Sequence, residues 1–408
     1  MNLTVMIATT LASLILFNED SDNLVNPCWR RNADRMTEED VRTYYEDVLG
    51  AGKVTHFLLC VNARASAYPS KVFDNYWDCV KDPDVKLGTN VRPLIMKDMF
   101  DCGVDRFAIG VEMCRAKGVQ PWLSFRMNDI HFVTDKTFWL NFGHWKAHPE
   151  LWIVPSSASN AAERAWWPRA YDYRKEPVQA RMLAYIEEAL GRYDADGIEL
   201  DWMRFEYHMP RDTVRGEGAE ALNRFMRRAR EVVRAAEKRR GHSIRIAARV
   251  DSDPESALNH GTDYRVWARE KLVDLLIPCN FFSTIDFELP FTVWRDEVKA
   301  LNPDVRVIPG LDCGVTEPGR KRRYATADEY AAWAGRMYSG GATGIYFFNL
   351  FCYPVDHPGE PRGEVWDWVT KKGFTPESVA AHAKSVPKNA LRECVTGGWC
   401  APRKERTR

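Results

Sequence analysis

The residues best suited to chemistry form one run, Asp196-Gly197-Ile198-Glu199-Leu200-Asp201-Trp202-Met203-Arg204. It reads as a short strand after a helix. Alternate residues of a strand share a face, so Glu199 and Asp201 point one way and Ile198, Leu200 and Trp202 the other. Two carboxylates on one face are costly to bury unless paired or hydrated. At the mouth of an α/β barrel the same pair suits proton transfer or nucleophilic attack. The plainer reading is a salt-bridged strand end packed on Arg204.

Such a pair needs a scaffold, and apolar β-rich runs alternate with helical patterns along the whole chain. Strands are expected at 13–18, 56–62, 121–125, 197–202, 244–250, 275–282, 305–311 and 344–350. Helices are expected at 37–49, 106–117, 177–193, 218–240, 263–272, 290–301, 326–338 and 364–371. Thr37 is the expected N-cap of the first helix, ahead of Glu38, Glu39 and Asp40. Pro177 suits a first helical position and Gly118 a helix end. Eight repeats whose strands are apolar on both faces imply a parallel sheet closed into an α/β (β/α)8 TIM barrel. Long insertions follow the second strand, to about residue 100, and the third, over 130–175. A doubly wound sheet would show a Gly-rich phosphate loop after its first strand, and none is present. Residues 1–374 are assigned to the barrel and 375–408 to a partly ordered C-terminal extension.

Of 408 residues, Lys+Arg and Asp+Glu number 57 each. That balance points to neither a nucleic-acid nor a membrane partner, and the basic run 227–240 reads as a solvated helix face. The apolar segment 3–17 is short for a bilayer span and lacks a basic leader region. Its end, 13–17, is read as a barrel strand. A secreted precursor is the other reading, and a secreted or periplasmic location is favoured over a cytoplasmic one. The 10 Cys are scattered without ligand spacing, and the 9 His form no His-x-His pair. No metal and no cofactor are expected. Cys60, Cys279, Cys313 and Cys352 read as core thiols, while Cys394 and Cys400 suit a local disulfide in an oxidising compartment. Oligomeric state is left open.

Catalytic groups of such barrels sit at the C-terminal ends of the strands. Here those ends hold Asn18, Glu19 and Asp20, then Asn62 and Arg64, then Arg126, Asn128 and Asp129, then Glu199, Asp201 and Arg204. Arg249 and Asp251, Asn280, Asp312 and Asn349 follow on the later strands. Helix capping is the competing use for Asp20, Asp251 and Asp253. The chain has 15 Trp, 15 Tyr and 19 Phe. Trp122, Trp145, Trp152, Trp166, Trp167 and Trp202 lie near strand ends or in loops, which suits stacking on sugar rings. His131, His144 and His148 are read first as core or surface residues, with substrate contact as the alternative. No Ser-His-Asp order, Walker loop or HExxH is present.

Tyr171-Asp172-Tyr173, then a helix, then Asp196 to Arg204 with its DG-x-x-x-D spacing, resembles the fourth strand of a barrel family called glycosyl hydrolase-like. That largely uncharacterised family is abundant in polysaccharide-degrading bacteria. Phe17-Asn18-Glu19-Asp20, Tyr68-Pro69-Ser70, Arg126-Met127-Asn128-Asp129 and His148-Pro149-Glu150 match as well, so the resemblance spans about residues 13–371. Asp201 matches the final acid of the motif, and Glu199 falls where the pattern varies. The resemblance implies the barrel and a broad glycosidase class.

The resulting reading is a glycoside hydrolase acting on a poly- or oligosaccharide, with Asp201 as general acid/base. Asp312 is the preferred partner carboxylate, because barrel glycosidases commonly pair the fourth and seventh strands; Asp129 and Glu199 are the alternatives. A carboxyl separation of about 5 Å would mean retention and roughly 6.5–9.5 Å inversion. Asn18, Asn62, Arg64, Arg126, Asn128, Arg204, Arg249, Asn280 and Asn349 are expected to hold sugar hydroxyls or an anionic sugar. Trp145, Trp166 and Trp167 are expected to stack on it. Two other readings stay open: a carbohydrate-binding barrel without hydrolysis, and a lyase or isomerase acting on a uronate.

Overall fold

A single ring of parallel strands organises the chain. The computed structural model describes residues 13–20, 23–25, 35–154, 167–280, 285–315, 322–350 and 361–384. The strands are β1 (Leu14–Glu19), β2 (His56–Cys60), β3 (Gln120–Arg126), β4 (Gly197–Asp201), β5 (Arg245–Val250) and β6 (Leu275–Pro278). Then come β7, in two pieces (Arg306–Val307 and Gly310–Leu311), and β8 (Gly344–Phe347). Neighbours pair in chain order from β1 to β6. The first piece of β7 pairs with β6, its second piece with β8, and β8 returns to β1. The interruption falls at Pro309, which has no N–H to give. Its carbonyl still accepts from Tyr346 N at 3.0 Å, and Ile308 N donates to Leu276 O at 2.9 Å. The ladder therefore runs through β7, and the expected α/β (β/α)8 barrel is the fold.

The helices are α1 (Glu38–Leu49), α2 (Arg92–Asp101), α3 (Arg106–Ala116), α4 (Gly143–Ala147), α5 (Glu176–Arg192) and α6 (Glu217–Arg240). They continue as α7 (Pro254–Asn259), α8 (Tyr264–Arg269), α9 (Phe291–Leu301), α10 (Ala327–Ser339), α11 (Pro361–Asp367) and α12 (Pro376–Ala383). Thr37 caps α1 as expected, in a capping box with Asp40. The helix expected at 263–272 is shorter, preceded by α7, and each of the two has its own aspartate cap, Asp253 and Asp263. Helix α2 lies inside the stretch read as an insertion. Helix α12 lies at the start of the segment read as a partly ordered extension; Thr375 and Ser378 form its capping box, and Val379 is buried. Among the described residues, no helix is long and apolar enough to cross a membrane.

Strand alternation sorts the side chains into two cores. Leu16, Leu58, Trp122, Ala247, Leu275, Ile277, Ile308 and Tyr346 pack together with no helical partner, which makes them the barrel interior. Phe17, Phe57, Leu123, Ile198, Leu200 and Trp202 pack outward with the helices. Gly197 is needed where the two sides meet. A Cβ there would stand 2.3–2.6 Å from carbons of the Trp122 indole, so that ring fills the space β4 leaves open. Above Gly197, the same face of β4 carries Glu199 and then Asp201.

Candidate active site

Polar residues take over the interior toward the C-terminal ends of the strands, in two layers set by register. In the lower layer Glu199 stands beside Ser124 of β3 and Ala247 of β5. Its Oε2 accepts from Asn18 Nδ2 at 2.7 Å and from Ser124 Oγ at 2.5 Å. Its Oε1 is buried without a hydrogen-bond partner. Burial, then the charge of Asp201, pushes the Glu199 pKa up to about 7 against the pull of Arg249. This is the desolvation effect expected of a buried carboxyl.

In the upper layer Asp201 stands between Arg126 and Arg249. It pairs with Arg249, which donates Nε to Oδ1 at 2.8 Å and Nη2 to Oδ2 at 3.1 Å. Met203 N adds a bond to Oδ1 at 2.9 Å. Asp201 is 1% exposed. The Phe348 ring covers the guanidinium of Arg249 at 3.8 Å. Arg126 turns away from Asp201, toward Asp20 and Asp129.

Asp312, the expected partner, is fully buried at the end of β7. Its Oδ2 accepts from Asn349 Nδ2 at 2.7 Å and its Oδ1 from Cys313 N at 2.6 Å. Asn349 lies just past β8 with φ +57, a left-handed conformation that Asn tolerates better than most residues. Its Oδ1 accepts from Arg204 Nη1 at 3.5 Å, so one amide links Asp312 to Arg204. Asp129 is held on every side: Arg126 at 3.1 Å, Arg64 at 3.4 Å and His131 Nδ1 at 3.0 Å. Burial alone would raise its pKa, but His131, Arg126 and Arg64 outweigh burial and hold it well below the usual carboxylate range.

The structure spends several expected substrate contacts on scaffolding. Arg64 gives its donors to Leu140 O, Asp129 O, His131 O and Asn141 Oδ1. Asn62 bridges β2 to the end of β3 through Arg126 N and O. Asn128 ties down Tyr171 and Tyr207. Asn280 is buried at the end of β6. Trp145 is buried, stacked on Trp152 at 4.7 Å, and donates Nε1 to Arg169 O. Trp122 and Trp202 are core residues. Trp167 is half-buried against Tyr207, and Trp166 lies outside the described residues.

A cavity of about 700 Å³ opens at this end of the barrel, and Asp20, Arg126, His131, Phe132, Trp139 and Arg204 help to line it. Asp201 does not line it, but its register neighbour Arg126 does. Phe132 is 62% exposed and has φ +51, an outlier for an aromatic residue. Its ring meets Phe138 at 4.7 Å, and Phe138 meets Trp139 at 6.0 Å. This aromatic ledge was not singled out from the sequence. The signal available was the crowding of Phe132, Phe138 and Trp139 in the loop after β3.

A second cluster also escaped sequence reasoning. Ligand atoms of Glu206, Asp251 and His260 lie within 4.8 Å of one another. His260 reaches Glu206 at 3.6 Å through Nε2 and Asp251 at 3.5 Å through Nδ1. Asp251 also accepts from Ser256 Oγ at 2.8 Å and from Asp253 N at 3.0 Å. Two carboxylates and one imidazole match the donor set of a divalent cation. No spacing in the chain signals this cluster, because its members come from the loops after β4 and β5.

The α-L-fucosidase isoenzyme 2 of Paenibacillus thiaminolyticus aligns over 92% of this chain and 50% of its own, at 12% identity and a TM-score of 0.53. The glycoside hydrolase domain of PgaB (BpsB) from Bordetella bronchiseptica aligns over 90% of this chain and 100% of its own, at 11% identity and 0.52. The fold is one that glycoside hydrolases use. At such identities the likeness concerns the fold alone, and the chain spans about half the length of the fucosidase. No family model and no curated protein matches the chain.

Proposed function

We propose that the protein is a glycoside hydrolase that cleaves a poly- or oligosaccharide by carboxylate acid/base chemistry. The observation that carries this reading is the gathering of carboxyls in unlike surroundings at the C-terminal strand ends: Asp201 of β4 pairs with Arg249, and Asp312 of β7 is held by Asn349 and Cys313. Glu199, on the same face of β4 as Asp201, sits among neutral donors with its pKa pushed up to about 7. Carboxyls held in unlike surroundings are how a single site runs acid and base steps. Asp201 is assigned as the general acid/base. Asp312 is assigned as its partner, because Glu199 lies a layer deeper and Asp129 is engaged by Arg126, Arg64 and His131. The sugar rests on the ledge of Phe132, Phe138 and Trp139, and Arg126 and Arg204 meet its polar groups. The glycosyl hydrolase-like resemblance, with Asp201 as the motif's last acid, supports the same assignment.

The test is reducing-sugar release over a panel of plant and algal polysaccharides by wild type, Asp201→Asn and Asp312→Asn. Wild type is expected to cut at least one polymer, and each variant to lose about 100-fold or more while staying folded by circular dichroism, with Asp201→Asn also losing the stability of its pair with Arg249. Full activity in Asp201→Asn removes it from the mechanism. One observation favours a second reading, a barrel that binds carbohydrate without cleaving it: Asp201 is 1% exposed and gives both oxygens to Arg249. Tight binding of a polymer by wild type, with no reducing ends released from any, would establish that reading instead.

A further inference from the structure

We infer that the cavity selects an acidic saccharide, one carrying a carboxylate or sulfate, and that Arg204 is the residue that reads this charge. The inference rests on the carbohydrate reading above and goes beyond it by naming the substrate's charge.

The arginines around the strand ends differ in how they are matched by carboxylates. Arg106 is matched by Glu19, Arg249 by Asp201, Arg126 by Asp20 and Asp129, and Arg64 by Asp129. Arg204 differs: among the described residues no carboxylate oxygen lies within 4 Å of it. Its contacts are neutral. Nη1 donates to Asn349 Oδ1 at 3.5 Å, Nη2 meets His131 Nε2 at 3.1 Å, and the Phe348 ring lies 5.4 Å away. Its Nε is buried without a partner.

His131 is neutral in this arrangement. Its Nδ1 lies 3.0 Å from both oxygens of Asp129, so that nitrogen carries the proton and Nε2 accepts from Arg204. Burial lowers the His131 pKa, which favours the same neutral form. The guanidinium of Arg204 is thus aimed by two neutral acceptors and lines the cavity with its charge unmatched in contact range. Asp20, Asp129 and Asp201 act on it only from farther off, and burial with the charge of Arg126 lowers its pKa despite them. A buried cation in that condition gains from an anion entering the cavity. At the outer rim exposed Lys86 and Arg92 stand with exposed Asp135, so the rim adds no surplus of negative charge. The phenyl and indole of the ledge supply the stacking face and leave the sugar's acidic group to the arginine side.

The test measures binding apart from cleavage. Wild type, Arg204→Gln and Arg204→Lys are titrated in the cold with polygalacturonate, a sulfated galactan, and an uncharged galactan. Wild type is expected to bind at least one acidic polymer about tenfold or more tightly than the neutral one, with the preference shrinking as NaCl rises. Arg204→Gln is expected to lose that preference, weakening the acidic polymer at least about tenfold more than the neutral one, and Arg204→Lys to keep part of it. The two acidic arms separate a carboxylate from a sulfate. Equal or tighter binding of the neutral polymer, or the same loss on all polymers in Arg204→Gln, overturns the inference and leaves the glycosidase reading standing. No binding to and no cleavage of any carbohydrate overturns both. If Arg204→Gln does not fold, the wild-type preference, its salt dependence and the Arg204→Lys result still decide.

Discussion

Asp201 and Arg249 stand directly opposite each other in the β4–β5 register and join through two hydrogen bonds, 2.8 and 3.1 Å, with both side chains about 1% exposed. A pair this deep is held by its mutual attraction in a poorly solvated place. Breaking one side leaves the other charge buried and alone, which costs about 3–5 kcal/mol. Arg249→Met is therefore expected to lower stability by that amount, read as a shift of the urea midpoint without a change of slope. A loss under about 1 kcal/mol would mean that Asp201 finds water or another cation, and its pairing would carry no weight in positioning it.

Glu199 gives a prediction of the opposite electrostatic kind. Its pKa in the folded barrel, about 7, lies above the ordinary value of 4.5. The folded state therefore holds this proton more tightly than the unfolded state. The contribution is complete below about pH 4.5 and is lost as pH rises through 7. Glu199→Gln keeps the acceptor for Asn18 and Ser124 and removes the titration. Relative to wild type, the variant is expected to gain on the order of 2–3 kcal/mol between pH 5 and pH 8. Glu19, also pushed up to about 7 by burial against the pull of Arg106, is present in both proteins and cancels in the comparison. Urea midpoints of both proteins at the two pH values check this, and parallel shifts would show that Glu199 stays charged.

Much of this arrangement was legible because strand alternation has a period of two. Glu199 and Asp201 share the interior face and Trp202 the outer one, as the β4 run alone implies. What stayed hidden depends on contacts between distant segments. Arg64 and Asn128 are of the types that hold sugars, yet backbone groups of the loop after β3 take their hydrogen bonds. Trp145 looked like a stacking platform and is packed under Arg64 and Trp152. The exposed aromatic is Phe132, whose left-handed backbone no local pattern announces. Helix α12 was missed because its capping box closes on Ser378 in place of the usual Glu or Gln.

Gly197 and Trp122 make a steric pair that can be tested apart from chemistry. The glycine of the fourth-strand run faces the Trp122 indole so closely that a methyl group would overlap its ring. Neither backbone nor a fully buried indole can move far in a packed interior. Gly197→Ala is expected to destabilise by about 1–3 kcal/mol, the range for overpacking. Trp122→Leu in the same chain is expected to recover part of that loss, so the two changes together cost less than their sum. Strict additivity in a double-mutant cycle would place the clash elsewhere.

Phe132 separates binding from stability. Its ring is 62% exposed, touches Phe138 at one edge of the cavity, and sits on a backbone with φ +51. A non-glycine residue held there carries a local cost of about 1 kcal/mol. A structural role would make its loss destabilising. A ligand-facing role makes the ring dispensable for folding and the strain a consequence of presenting it. Phe132→Gly is accordingly expected to leave the urea midpoint unchanged or raise it, within about 1 kcal/mol. The same variant is expected to weaken binding of whichever polysaccharide wild type recognises by about tenfold, the order of one lost stacking contact. Trp139→Ala serves as the comparison, because that ring is partly buried and packs on Tyr76 at 5.1 Å, so it is expected to lose stability as well as affinity. If Phe132→Gly binds every polymer as wild type does, the ledge is a surface feature and the sugar lies elsewhere along the mouth.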